Sequence, residues 1–105
     1  MKNQDISEDL AKTVYLAVGS NLGVRKENIE KAKFFLKQNN INFLSVSNYY
    51  ETPSWPNPKY PKYLNILLKV KCNHSPLKLL NICKEIEVNL GRKKSKKNLP
   101  RICDI

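Results

Sequence analysis

No stretch of the chain approaches the ~18 consecutive apolar residues that a helix needs to cross a bilayer. The opening MKNQDISEDLAK also lacks the apolar core of an export signal. Export and membrane insertion are therefore not expected, and a cytoplasmic location is. Cysteine is sparse and odd in number: Cys72, Cys83 and Cys103 are widely spaced, with no C-x-x-C pair. That argues against a disulfide framework or a zinc knuckle and for a reducing compartment. Cys72 and the single histidine, His74, are near each other, but without a second pair they read as a strand-end thiol and a loop imidazole rather than as metal ligands. Glycine occurs only three times. The one pair, in Gly19-Ser20-Asn21-Leu22-Gly23, has the spacing of neither a P-loop nor a dinucleotide-binding fingerprint, which excludes both as readings.

Acidic residues are few. Nine Asp and Glu stand against nineteen Lys and Arg, sixteen of them lysine, for a formal net charge of +10. An anionic partner is expected, and composition alone leaves nucleic acid, an acidic membrane surface and a polyphosphate open. With 105 residues, 41% hydrophobic and 27% charged, the chain suits one small globular domain.

Residues 1–12 are polar, mixed in charge and weakly periodic, and read as a flexible extension ahead of a domain spanning 13–105. Val14-Tyr15-Leu16-Ala17-Val18 is a continuous apolar run ended by Gly19-Ser20-Asn21, the pattern of a strand buried on both faces. From about 24 to 38, Ile29, Ala32, Phe35 and Leu36, with Leu22 just ahead, mark the apolar stripe of an amphipathic helix. Residues 43–50, rich in aromatic and β-branched types, predict a second strand stopping at Thr52-Pro53. Residues 53–62 hold four prolines together with Trp55 and Tyr60. That makes a stiff loop whose aromatics either line a ligand site or pack down on the sheet. Residues 63–71 alternate with period two, so Leu64, Ile66, Leu68 and Val70 share one face and Tyr63, Asn65, Leu67 and Lys69 the other.

Ser75-Pro76 starts a second helix whose stripe is read as Leu77, Leu80, Cys83, Ile86 and Leu90, closed by Gly91. Six of the eleven residues from 91 to 101 are basic, a run that reads as a solvated loop or a clamp on phosphates. Ile102-Cys103-Asp104-Ile105 opens a strand that is cut short. The fold class expected is α+β, a ferredoxin-like βαββαβ sandwich with an antiparallel sheet and both helices on one face. A carboxylate, Asp104, three residues after Arg101 is a recipe for holding a Mg²⁺–nucleotide complex.

Five motifs now stand in order: Val14-Tyr15-Leu16-Ala17-Val18-Gly19-Ser20-Asn21-Leu22-Gly23, Tyr50-Glu51-Thr52-Pro53, Tyr63-Leu64-Asn65, Glu85-Ile86-Glu87 with Leu90-Gly91-Arg92, and Pro100-Arg101-Ile102-Cys103-Asp104-Ile105. Together they resemble the 6-hydroxymethyl-7,8-dihydropterin pyrophosphokinases of folate biosynthesis. The resemblance implies transfer of pyrophosphate from ATP to the pterin hydroxymethyl group, with AMP leaving and ATP and Mg²⁺ required. It further implies that Gly19, Ser20, Asn21, Thr52, Pro53, Trp55, Tyr63 and Asn65 bind the pterin. Glu87, Arg92, Lys94 and Arg101 would contact ATP, Asp104 would ligate Mg²⁺, and Arg92 and Asp104 would be catalytic.

The sequence departs from that pattern in three places. Lys94 stands where arginine is common in the family, and Leu99 where glycine is usual. The family's metal motif is Asp-x-Asp, and the chain stops one residue before the second Asp, so the 105-residue chain is expected to show little turnover. A monomer is expected. The competing reading, a small basic RNA-binding domain of ferredoxin-like fold, lacks the aromatic and basic run such sheets carry in their central strands.

Overall fold

The computed structural model describes residues 11–91, 101 and 103–105. Its elements are β1 (Lys12–Ser20), α1 (Arg25–Gln38), β2 (Asn42–Val46), β3 (Tyr50–Thr52), β4 (Tyr63–Cys72) and α2 (Pro76–Asn89). The α+β class is borne out, as an open antiparallel four-stranded sheet with two helices packed on it. β4 lies at its centre, paired with β1 on one side and with both β2 and β3 on the other. Asp104 adds an antiparallel bridge to Gly19 on the far side of β1, with N···O distances of 2.7 and 2.8 Å in the two directions.

The period-two reading of β4 gives the core its floor. Ile66, Leu68 and Val70 are buried, and against them pack Ile29, Ala32 and Leu36 of α1 and Leu79, Ile82, Cys83 and Ile86 of α2. Three expectations need correction. β1 is covered on one face only: Val18 is buried, whereas Tyr15 is 61% exposed on the helix-free face. The predicted strand over 43–50 divides into β2 and β3 because Ser47 breaks the ladder. Its N–H gives to Leu67 O while its own Oγ accepts from Leu67 N at 2.7 Å, a side chain doing what the next backbone carbonyl would do. The buried stripe of α2 runs through Leu79 and Ile82 rather than Leu77 and Leu80, which stay exposed. Both stripes share Cys83 and Ile86, so the apolar pattern fits either rotation and packing decides.

The helix ends follow local chemistry. α1 closes in a Schellman arrangement, with Asn40 at φ 63°, Asn40 N giving to Lys37 O and Ile41 N to Leu36 O. His74 is a brace for this corner, its Nε2 donating to Asn39 O at 2.8 Å. Ser75 caps α2 by accepting from Lys78 N, and Gly91 takes φ 105° beyond its end. All three cysteines are buried, and burial, with Glu87 and Cys72 beside it, pushes the Cys83 thiol up to about 11. No helix among the described residues is long and apolar enough to cross a membrane. Residues 1–10, 92–100 and 102, and the expectations that fall on them, lie outside the described residues.

One polar link ties α1 to the segment between β2 and β3. Tyr49 donates its hydroxyl to the Glu30 carboxylate, which also takes Lys33 Nζ at 3.2 Å, and Lys26 Nζ stands 5.4 Å from the centre of the Tyr49 ring. The Tyr49 hydrogen bond, with the two lysines, lowers the Glu30 carboxyl below its ordinary value of 4.5. Partial burial and the Glu30 charge raise the phenol from 10.0 to about 12. The Glu30 contribution is thus present above its unfolded value and is lost as pH falls through the depressed one. The Tyr49 contribution is present below pH 10.0 and is lost as pH rises toward about 12. Tyr49→Phe is expected to melt slightly below wild type at neutral pH, by under ~1 kcal/mol for so exposed a pair. The gap should close on acidification; thermal melts that keep it at low pH would show that Glu30 is not the partner that matters.

Candidate substrate site

The helix-free face of the sheet holds most of the expected pterin residues, and the strand register explains why. Residues directly opposite in an antiparallel ladder project to the same side. Asn65 is opposite Gly19 on β1 and Tyr50 on β3, and Tyr63 is opposite Thr52. Gly19 is in turn opposite Asp104. One row across the sheet therefore reads Asp104, Gly19, Asn65, Tyr50. With strands about 4.8 Å apart, the backbones of Asp104 and Asn65 lie roughly 10 Å from each other.

The amide of Asn65 is fixed in place. Its Nδ2 donates to Thr52 Oγ1 at 2.9 Å and Tyr50 O at 3.2 Å, which turns Oδ1 toward Gly19. Gly19 is what makes room: a Cβ there would lie 2.7 Å from Asn65 Oδ1 and 3.3 Å from Tyr63 Cδ1. Gly19 is itself buried, covered by the Asn65 amide and the Tyr63 ring, with Asp104 as its neighbour on the other side.

Ser20 and Asn21 are both engaged within the protein. Both are buried. Ser20 Oγ accepts from Asn28 Nδ2, whose amide also gives to Leu22 O at 2.8 Å and so holds the turn into α1. Asn21 joins two distant segments: its Nδ2 donates to Pro61 O at 3.1 Å, and its Oδ1 accepts from Arg101 N at 2.6 Å. Its own N–H gives to Arg101 O at 3.0 Å, so the end of the proline loop and the residue opening the last segment are held by one side chain. Pro53 and Trp55 belong to that loop, whose residue between them, Ser54, is buried, while Trp55 is 81% exposed and joined to Pro56 by a cis peptide bond.

The expected nucleotide side is described only in part, since Arg92 and Lys94 lie outside the described residues. Arg101 Nη1 meets Asp104 Oδ1 at 2.9 Å. Glu87 is buried, and its Oε2 accepts from Ile105 N at 2.8 Å, so its carboxylate fastens the last segment to α2. Among the described residues no three Asp, Glu, His or Cys side chains gather to hold a metal. Asp104 alone fits a Mg²⁺ that draws its remaining ligands from phosphate oxygens and water. Sequence reasoning missed Arg25 and Glu51, an ion pair at 2.9 Å beneath the proline loop.

On one face of this α+β domain an aromatic ring, an amide and an acid stand around Gly19. The family model for 7,8-dihydro-6-hydroxymethylpterin-pyrophosphokinase (HPPK) matches residues 15–105, and the chain belongs to that family. The 2-amino-4-hydroxy-6-hydroxymethyldihydropteridine pyrophosphokinase of Aquifex aeolicus is 38% identical over 93 residues, covering 89% of this chain and 58% of that protein. The enzyme of the same name from Bacillus subtilis is 32% identical over 92 residues, 87% of this chain and 55% of its own length. A folic acid synthesis protein of Schizosaccharomyces pombe is 38% identical over 95 residues, 90% of this chain and 13% of its own. The chain thus spans a little over half of the single-function relatives. None of these similarities supports the RNA-binding reading.

Proposed function

We propose that this chain binds 6-hydroxymethyl-7,8-dihydropterin and MgATP and serves the transfer of pyrophosphate between them. The observation that supports the reading is the row Asp104, Gly19, Asn65, in which an amide and a carboxylate share one face, separated by a residue with no side chain. In this reading Asn65 Oδ1 and Thr52 meet the polar edge of the pterin, Tyr63 stacks on its ring, and Pro53 and Trp55 close over it. The hydroxymethyl oxygen attacks the β-phosphorus of ATP, the bond from that phosphorus to the α-phosphate bridging oxygen breaks, and AMP departs; the hydroxyl proton passes to solvent. Mg²⁺, when bound, neutralises phosphate charge in the transferring group. The chain's own part is to align the two substrates and to bring Arg101 and the other cations, Arg92 and Lys94 among them, against the phosphates, with Glu87 holding the segment that presents Asp104.

Calorimetric titration with 6-hydroxymethylpterin, with and without a non-hydrolysable Mg²⁺–ATP analogue, tests this. Asn65→Leu is expected to weaken pterin binding by about tenfold to a hundredfold, because a ligand edge built for hydrogen bonds then faces an apolar side chain. Nucleotide binding should stay near wild type in that variant, while Asp104→Asn should blunt only its Mg²⁺ dependence. A wild-type chain that binds neither ligand would overturn the reading.

A further inference from the structure

We propose that Arg25 is the positioning residue for the proline loop, setting the direction in which the loop carries Trp55 and thereby the affinity for the pterin; this rests on the reading above. A single guanidinium nitrogen, Arg25 Nη1, contacts both roots of the loop. It pairs with Glu51 Oε2 at 2.9 Å and donates to Lys62 O at 3.0 Å. Glu51 is the next-to-last residue of β3, and Lys62 immediately precedes β4. Everything between these contacts is loop except Thr52, whose partner across the ladder is Tyr63.

The direction of approach matters. Glu51 is opposite Leu64, a residue packed against the core, so Arg25 reaches the hairpin from the helix side, behind the face that holds Thr52 and Tyr63. Arg25 opens α1, four residues after Asn21, and α1 is anchored in the core through Ile29, Ala32 and Leu36. A side chain rooted in a packed helix thus holds a hairpin that the sheet alone leaves exposed at its edge: Tyr50 and Glu51 are exposed and Trp55 is 81% exposed. The prolines make the loop stiff, so a change of angle at its roots is carried out to its tip rather than absorbed on the way. Arginine suits the task because its guanidinium can serve a carboxylate and a carbonyl together while most of its stem packs.

Trp55 is the single tryptophan of the chain, so its fluorescence reports this loop without labelling. In Arg25→Met, time-resolved anisotropy of the ligand-free protein should show a larger fast local component than wild type. Pterin affinity should fall about tenfold while affinity for a non-hydrolysable MgATP analogue stays within about twofold. Arg25→Lys, which keeps the charge and a donor, should restore part of the lost affinity, and melting temperatures close to wild type in both would separate positioning from general destabilisation. Unchanged Trp55 anisotropy in Arg25→Met, or pterin and nucleotide affinities that fall together, would overturn the assignment. Absence of pterin binding in the wild type would instead sink the functional reading, and the ligand-free anisotropy would still decide whether Arg25 holds the loop.

Discussion

Gly19→Val should cut pterin affinity by about a hundredfold or more, an effect of the size seen when buried hydrogen-bonding groups in a site lose their partner. The reason is space rather than backbone strain: Gly19 is an ordinary residue of β1, and positive φ values occur at Gly23 and Gly91 instead. An added Cβ would stand 2.7 Å from Asn65 Oδ1, closer than real Cβ contacts come, and 3.5 Å from the Leu64 carbonyl. Leu64 cannot give, being paired backbone, and Asn65 is tied through Nδ2 to Thr52 and Tyr50. The amide must therefore break those bonds or move over the gap where the ligand edge would lie. Gly19→Ala should sit between wild type and valine, with the Tyr63 ring 3.3 Å from the new methyl yielding a little. Titration of the three proteins beside thermal melts is the measurement. Wild-type pterin affinity in the valine variant would show that the ligand does not use the face above Gly19.

How much of this was readable beforehand depends on whether neighbours along the chain or across it decide the feature. β4 was legible because its alternation is local: Leu64, Ile66, Leu68 and Val70 point one way whatever pairs with them, and Tyr63 and Asn65 the other. The helix ends were legible from Ser75-Pro76 and Gly91 for the same reason. The break between β2 and β3 was not, since it rests on Ser47 meeting Leu67 twenty residues away. The rotation of α2 was ambiguous because two apolar stripes overlap at Cys83 and Ile86, and only contact with α1 and the sheet selects one. In the site, the pairing of Gly19 with Asn65 and of Thr52 with Tyr63 was not legible, since it rests on the strand register, nor were the bonds of the Asn21 amide to Pro61 and Arg101, forty and eighty residues away. Arg25 could have been noticed. The chain has sixteen lysines and three arginines, and both described arginines pair with a carboxylate, Arg25 with Glu51 and Arg101 with Asp104. Where lysine supplies the solvated charge, an arginine marks a place that needs fixed geometry.

The second large effect is expected at Asn21, and it separates stability from substrate contact. Asn21→Leu would leave Pro61 O without its donor and Arg101 N without its side-chain acceptor at a position only 1% exposed. Two unmet groups there should cost about 2–4 kcal/mol, a large share of the roughly 5–15 kcal/mol that holds a domain of this size together. The corresponding drop in melting temperature is about 10–20 °C. Asn21→Asp is the sharper probe because it changes one atom. Protonated, the introduced carboxyl can still accept from Arg101 N and donate to Pro61 O; ionised, it sets a negative oxygen against that carbonyl. The folded state therefore favours the protonated form, and its pKa is raised above the ordinary aspartate value of ~3.9. A raised folded pKa means that stability is kept at low pH and lost as pH rises through it. Relative to wild type at the same pH, Asn21→Asp should melt close to normal near pH ~4 and well below it near pH ~8. The leucine variant should show a deficit that changes little with pH. A pH-independent deficit in the aspartate variant, or none, would show that the link from Pro61 through Asn21 to Arg101 does not hold the proline loop and the last segment together.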